Sequence, residues 1–201
     1  MKRIIGLTGG IATGKSTVAN YLASVYKLPI LDADIYARDA VAIGSPLLTQ
    51  LTQRYGQDIL LDSGELNRGK LGEIIFNNES ERRLVESLIH PYVKQRFNQE
   101  VTISTNDTLV LVIPLLFEVG MTDLTTEIWV VSCSEAQQIQ RLIQRNNLTL
   151  EQAQARIKSQ MPLAEKIVRA DVVLDNSEYL ETLLKQVDIA VQNKPNFEPL
   201  F

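Results

Sequence analysis

Between Gly9 and Ser16 the chain reads GGIATGKS, and this octet restricts the fold more than any other stretch. It follows the pattern of a glycine, four free positions, then Gly, Lys and Ser or Thr. With glycine at about 7% of an average chain, such a match arises by chance on the order of once in a hundred chains of this size. The pattern has a physical purpose. Glycines reach backbone geometries closed to other residues, so successive N–H groups can turn inward around phosphate oxygens at a helix N-terminus, where the dipole favours anions. Lys15 then supplies a charge to the β and γ phosphates, and the Ser16 hydroxyl can hold Mg²⁺. Context agrees with the motif. Residues 4–8, IIGLT, read as a strand buried on both faces, and from Lys15 a helical spacing of Val18, Leu22 and Val25 runs to Tyr26. A strand, a glycine-rich turn and a helix are therefore expected here.

Further along, Pro29–Leu31 reads as a second strand ending at the acidic pair Asp32 and Asp34, followed by a helix over 35–42. Residues 45–104 are helical in pattern, interrupted by several glycines and Pro91, and form an expected inserted helical lobe. TLVLVIPLLF at 108–117 is the strongest apolar run and reads as a central strand, with further strands at 127–133 and 171–174. Between these last two lies a polar, arginine-bearing segment, where Thr149 and Gln152 have capping-box spacing. Residues 177–192 read as a closing amphipathic helix. Strands alternating with helices predict an α/β fold with a mostly parallel sheet, whose ligands gather at the carboxyl ends of the strands.

Two further groups of residues bear on chemistry. Asp32 and Asp34, two apart in LDAD, point the same way if extended, and one carboxylate there can take the proton of an acceptor hydroxyl or help hold a metal shell. The competing reading makes Asp34 the N-cap of the helix that follows. Arg141 and Arg145 share a helix face, with Arg156 and Lys158 beyond, as suits a lid that stabilises transferring phosphate; an ordinary solvated face is the other reading. His90, the only histidine, reads as packed or capping, and Cys133, the only cysteine, as a core thiol. Glu118 closes the strongest strand, where site residues gather.

A net charge of −4 over 201 residues argues against a general nucleic-acid or membrane-surface binder. The apolar start is too short for a secretion signal, and no apolar run reaches the ~20 residues that span a bilayer. One cysteine cannot form an internal disulfide, so the cytoplasm is the expected compartment and no obligate protein partner is evident. With 45% hydrophobic residues the chain can bury one sizeable core.

GLTGGIATGKSTVA at the start, LDAD at 31–34, LNR at 66–68, HPYV at 90–93, VIPLLFE at 112–118 and LDN at 174–176 occur in the order and approximate spacing of dephospho-CoA kinases, which the whole chain resembles. The phosphate loop is shared with many kinases; the combination of LDAD, His-Pro and PLLFE is what distinguishes this family. The resemblance implies a three-layer P-loop NTPase fold with a helical acceptor-binding lobe and a helical lid: a core of about 1–44, 105–134 and 168–201, a lobe of about 45–104 and a lid of about 135–167. It implies ATP-dependent phosphorylation of the ribose 3′-hydroxyl of dephospho-CoA, with Mg²⁺. By the same similarity Asp34, Lys15 and Arg141 are catalytic. Gly10, Ile11, Ala12, Thr13, Gly14, Lys15, Ser16, Thr17, Arg145 and Asn176 would bind ATP, and Asp34, Arg68, His90, Leu116 and Glu118 the acceptor, with Ser16 on the metal. The loop departs from many members at Ala12 and Thr13, where a pair such as glycine and serine is common. Another small-molecule or nucleoside kinase on the same fold, and a nucleotide-driven switch, are the alternatives.

Overall fold

A computed structural model describes residues 2–76 and 78–193. The described residues divide into two compact units, one within 2–31 and 104–193 and the other within 32–103.

The first unit is built on a five-stranded sheet. Strands β1 (Arg3–Gly9), β2 (Ile30–Asp32), β3 (Thr108–Val112), β4 (Glu127–Ser132) and β5 (Val172–Asp175) lie in the order β2-β3-β1-β4-β5. The β1–β3, β1–β4 and β4–β5 pairs are parallel, with Ile5 opposite both Val110 and Glu127, and Trp129 opposite Val172. β1 is central and almost wholly buried, as expected of a strand covered on both faces. Helices α1 (Lys15–Val25) and α9 (Leu180–Gln192) cover the sheet, their Val18, Leu22, Leu183 and Val187 packing with Ile5, Leu7, Val131 and Leu174.

β3 ends at Val112 rather than continuing to 117. Pro114 has no N–H for a ladder, and residues 113–121 fold instead into turns, with Leu116 N–H donating to the Ile113 carbonyl at 3.2 Å and Met121 N–H to that of Leu116 at 3.1 Å. Three shorter helices, α6 (Glu135–Asn146), α7 (Leu150–Lys158) and α8 (Leu163–Val168), fill the polar segment before β5. Both α6 and α7 open on capping boxes, Ser134 with Gln137 and Thr149 with Gln152, the second being the one that the spacing predicts.

Two polar clamps hold α9. Arg3, 7% exposed, donates to the carbonyls of Val191, Ala190 and Asn193 at 2.7, 2.9 and 3.2 Å, while its guanidinium pairs with Glu127 and lies over Trp129. Carbonyls at a helix C-terminus lack intrahelical donors and carry partial negative charge, so a buried cation is well matched there. Asp188 accepts from the Tyr21 hydroxyl at 2.8 Å and the Tyr26 hydroxyl at 2.7 Å, tying α9 to the end of α1. That hydrogen bond, followed by burial, pushes the Tyr26 phenol up to about 12.

The second unit is helical: α2 (Ala33–Asp39), α3 (Pro46–Tyr55), α4 (Arg68–Phe76) and α5 (Glu79–Ile103), with a short 3₁₀ turn at Gln57–Ile59. Its core gathers Leu48, Leu51, Ile59, Leu66, Leu71 and Val85, and the rings of Tyr36 and Phe97 meet edge to face at 5.1 Å. The chain turns helical two residues earlier than its pattern suggests, because Asp32 accepts the Asp34 N–H at 2.8 Å and so caps α2 itself. Pro91 does not interrupt α5. It is exposed, as is Ser87, whose carbonyl it leaves without a donor, so water can satisfy the gap. Among the described residues no helix is long and apolar enough to cross a membrane.

Arg54 grips Glu81 with two nitrogens at 2.8 and 2.6 Å, and the Tyr55 hydroxyl adds a third donor at 2.5 Å. These donors, Arg54 first, lower the Glu81 carboxyl from its ordinary 4.5 to about 2. A carboxyl depressed on folding stabilises the fold above its unfolded value and loses that contribution as pH falls through its folded one. The stability difference between the wild type and Glu81→Gln, followed by urea unfolding, should therefore be full at pH 6 and shrink between pH 4.5 and about 2; a difference constant over that range would refute the assignment.

Candidate active site

The loop after β1 takes the shape its glycines permit. Gly9 has φ 149° and Gly14 φ 107°, both unfavourable for an L side chain. A Cβ on Gly9 would stand 2.3 Å from the Val131 carbonyl oxygen, and one on Gly14 2.3 Å from Asn176 Nδ2. These positions are closed to side chains by backbone and by neighbour alike. Ala12, at φ 60°, is a non-glycine residue in the left-handed region, which costs roughly 1–2 kcal/mol. The departure from the family pattern at this position therefore coincides with real backbone strain.

The loop wraps back on itself. Thr13, fully buried, donates its hydroxyl to the Gly10 carbonyl at 2.9 Å, and Lys15 Nζ donates to the Gly9 and Gly10 carbonyls at 3.2 and 2.7 Å. Gly14 precedes α1 as its N-cap, so the loop delivers its backbone to a helix N-terminus. Ser16 and Thr17 are exposed in the first turn of α1.

Residues far away in sequence brace this loop. On α6, Arg141 Nη1 donates to the Ala12 and Thr13 carbonyls at 3.3 and 3.4 Å, and its Nη2 to the Asn176 carbonyl at 3.0 Å. Asn176, just past β5, donates from Nδ2 to the Thr13 carbonyl at 2.8 Å. Arg141 and Asn176 are thus brought together against the loop. Arg145 is not; exposed at the end of α6, it donates to the neighbouring Asn146 side chain at 3.0 Å. Two glutamines that the sequence did not single out complete the bracing: Gln138 donates to the Ile11 carbonyl at 2.7 Å, and Gln160 accepts the Ile11 N–H at 2.9 Å. Gln138 is one turn before Arg141, the single spacing signal that pointed toward it.

Glu118 lies in the turns after β3. Its Oε1 accepts the Met161 N–H at 3.0 Å and stands 2.7 Å from Lys166 Nζ. Leu116 is fully buried. Cys133 is a core thiol, 7% exposed, and burial pushes it up from its ordinary value. In the second unit, Asp34 is exposed in the first turn of α2, Arg68 opens α4 and is exposed, and His90 is half-buried on α5 beside Pro91. Asp34 is not the cap of its helix; Asp32 is.

A glycine loop between a buried central strand and a helix, with Lys15 inside it and an arginine on a separate helical segment against it, defines a P-loop nucleotide-binding protein. A sequence profile of the dephospho-CoA kinase family matches residues 3–182, and the chain belongs to that family, whose reaction is the last step of coenzyme A synthesis. It is 68% identical to a dephospho-CoA kinase of Trichormus variabilis over 197 residues, 98% of each chain. It is 55% identical to one of Synechocystis over 187 residues, covering 92% of this chain and 93% of the relative. Among solved structures, the dephospho-CoA kinase from Campylobacter jejuni superposes with a TM-score of 0.72 at 27% identity, covering 96% of both chains.

The glycines predict opposite responses at neighbouring sites. Ala12→Gly relieves the left-handed strain but loosens the unfolded chain, so thermal melting should find it unchanged or stabilised by up to about 1 kcal/mol. Gly9→Ala must displace backbone and should lose ~2 kcal/mol or more; equal behaviour of the two variants would mean that the loop does not hold this shape.

Proposed function

We propose that the chain transfers the γ-phosphoryl group of MgATP to the 3′-hydroxyl of the ribose of dephospho-CoA, with Asp34 as the general base. Membership of the family carries the reaction, and the braced phosphate loop carries its donor half. Backbone N–H groups of residues 10–17 receive the triphosphate at the N-terminus of α1, where the helix dipole favours anions. Lys15 and Arg141 now donate to loop carbonyls. Phosphate oxygens are stronger, charged acceptors, so both cations exchange those carbonyls for the bound triphosphate. Asn176 and Arg145 are assigned to the nucleotide side.

Asp34 takes the proton of the acceptor hydroxyl as that oxygen bonds to the γ phosphorus and the bridging oxygen leaves with ADP. What favours Asp34 over Asp32 is the family resemblance of LDAD, together with the Asp32 carboxylate's own role as the cap of α2. Arg68, His90, Leu116 and Glu118 are the acceptor-side residues in this reading. The segment of about 45–104 is the acceptor lobe and about 135–167 the lid. The exposed Ser16 hydroxyl is a hard oxygen donor of the kind Mg²⁺ takes alongside substrate phosphates; the ion would neutralise phosphate charge. The cytoplasm is the proposed compartment.

The deciding assay is ADP release from MgATP with and without dephospho-CoA, with mass spectrometry of the product. A gain of one phosphate on dephospho-CoA is expected; ADP release indifferent to it would sink the acceptor. Asp34→Asn should lower turnover by ~10²-fold or more with ATP affinity nearly intact, whereas Asp32→Ala should cost about 1 kcal/mol of stability through the lost cap. Normal turnover in Asp34→Asn would remove it as the base. Chelation should stop the reaction and Mg²⁺ restore it; activity persisting in excess chelator would exclude the metal.

A further inference from the structure

Lys166 takes no part in the chemistry above, yet its side chain is fully buried. A buried ammonium is tolerated only when paired and hydrogen-bonded. Lys166 Nζ stands 2.7 Å from Glu118 Oε1 and donates to the Pro114 carbonyl at 3.2 Å. That carbonyl also accepts the Thr8 hydroxyl at 3.1 Å, and Thr8 is the residue before the phosphate loop begins. Both contacts to Glu118, from Lys166 and from the Met161 N–H, fall on Oε1. Its side chain keeps 21% of its surface exposed, and both described contacts leave Oε2 unengaged by either partner.

We infer that Lys166 is a positioning residue of the acceptor site, which fixes the Glu118 side chain in one rotamer with its second oxygen presented to dephospho-CoA. A buried ion pair adds little net stability over a well-packed apolar pair of similar volume. What it supplies is direction. Glu118 follows a strand that stopped early at Pro114, so it sits on turns rather than on a rigid element, and a glutamate there would otherwise sample several rotamers. Anchoring from α8 removes that freedom before the substrate arrives, which is how preorganisation raises affinity. The inference rests on the reading that Glu118 contacts the acceptor.

The test measures KM for dephospho-CoA and for ATP, with kcat, in Lys166→Met, Glu118→Gln and the double variant. Lys166→Met should raise the acceptor KM about tenfold or more, as expected for loss of a bond to a charged group, and leave the ATP KM within about twofold. On the Glu118→Gln background it should add nothing further, because its effect runs through that carboxylate. If Lys166→Met alone does not fold, the double variant, which buries no unpaired charge, should fold and match Glu118→Gln in acceptor KM. An unchanged acceptor KM, an equal rise for ATP, or additive effects in the double variant would overturn the inference and leave Lys166 a structural strut. A normal acceptor KM in Glu118→Gln would instead overturn the reading on which it rests.

Discussion

Everything in the first unit depends on burying β1 on both faces in the middle of the sheet. A strand flanked by β3 and β4 must be apolar along nearly its whole length, and Ile5 and Leu7 meet that demand with side chains fully removed from water. Its two ends then carry polar tasks. At one end Arg3 is drawn in with Glu127 and the last carbonyls of α9; at the other, Gly9 passes so close to Val131 that only a glycine fits. The rigidity of the phosphate loop is thus inherited from the most deeply buried strand.

The loop itself is short of side chains, so its shape is set by others. Thr13 closes it from within, and Arg141, Asn176, Gln138 and Gln160 bind its carbonyl and N–H groups from outside. Backbone groups at such a site would otherwise be orphaned donors and acceptors. Four elements therefore converge on the loop: β1, α6, the α7–α8 connection and the turn after β5. This convergence lets Ala12 persist in a strained conformation, because the surroundings over-determine it.

The mostly parallel sheet, the helices after Lys15 and before the C-terminus, and the phosphate loop were legible because each rests on a local rule: a buried apolar run, a helical spacing, a motif that needs glycine; the strand order β2-β3-β1-β4-β5 rests on no such rule. Boundaries were legible only where a local rule decided them. The run at 108–117 is apolar throughout, but Pro114 ends the strand five residues early, a steric fact that hydropathy does not register. Pro91 went the other way; solvent exposure let α5 continue through it. In LDAD both aspartates satisfy the rule for a cap, and only the backbone at Asp32, extended while Asp34 is already helical, separates them. Gln160 and Lys166 were invisible for a different reason. Each acts across a large sequence separation, on Ile11 and Glu118, and a lone lysine in an amphipathic helix reads as a solvated charge.

The Arg3 clamp has a consequence for biogenesis. Its acceptors are carbonyls at residues 190–193, and its counter-charge is at 127. A ribosome delivers the chain from the N-terminus, so this guanidinium emerges before any of the groups that will surround it, and its full set of partners is complete only once the end of α9 has been made. The helical unit of residues 32–103 draws its partners from one continuous stretch and can organise during synthesis. A product truncated before α9 would keep Glu127 as the counter-charge of Arg3 but would lack the carbonyls of residues 190–193 that also hold it.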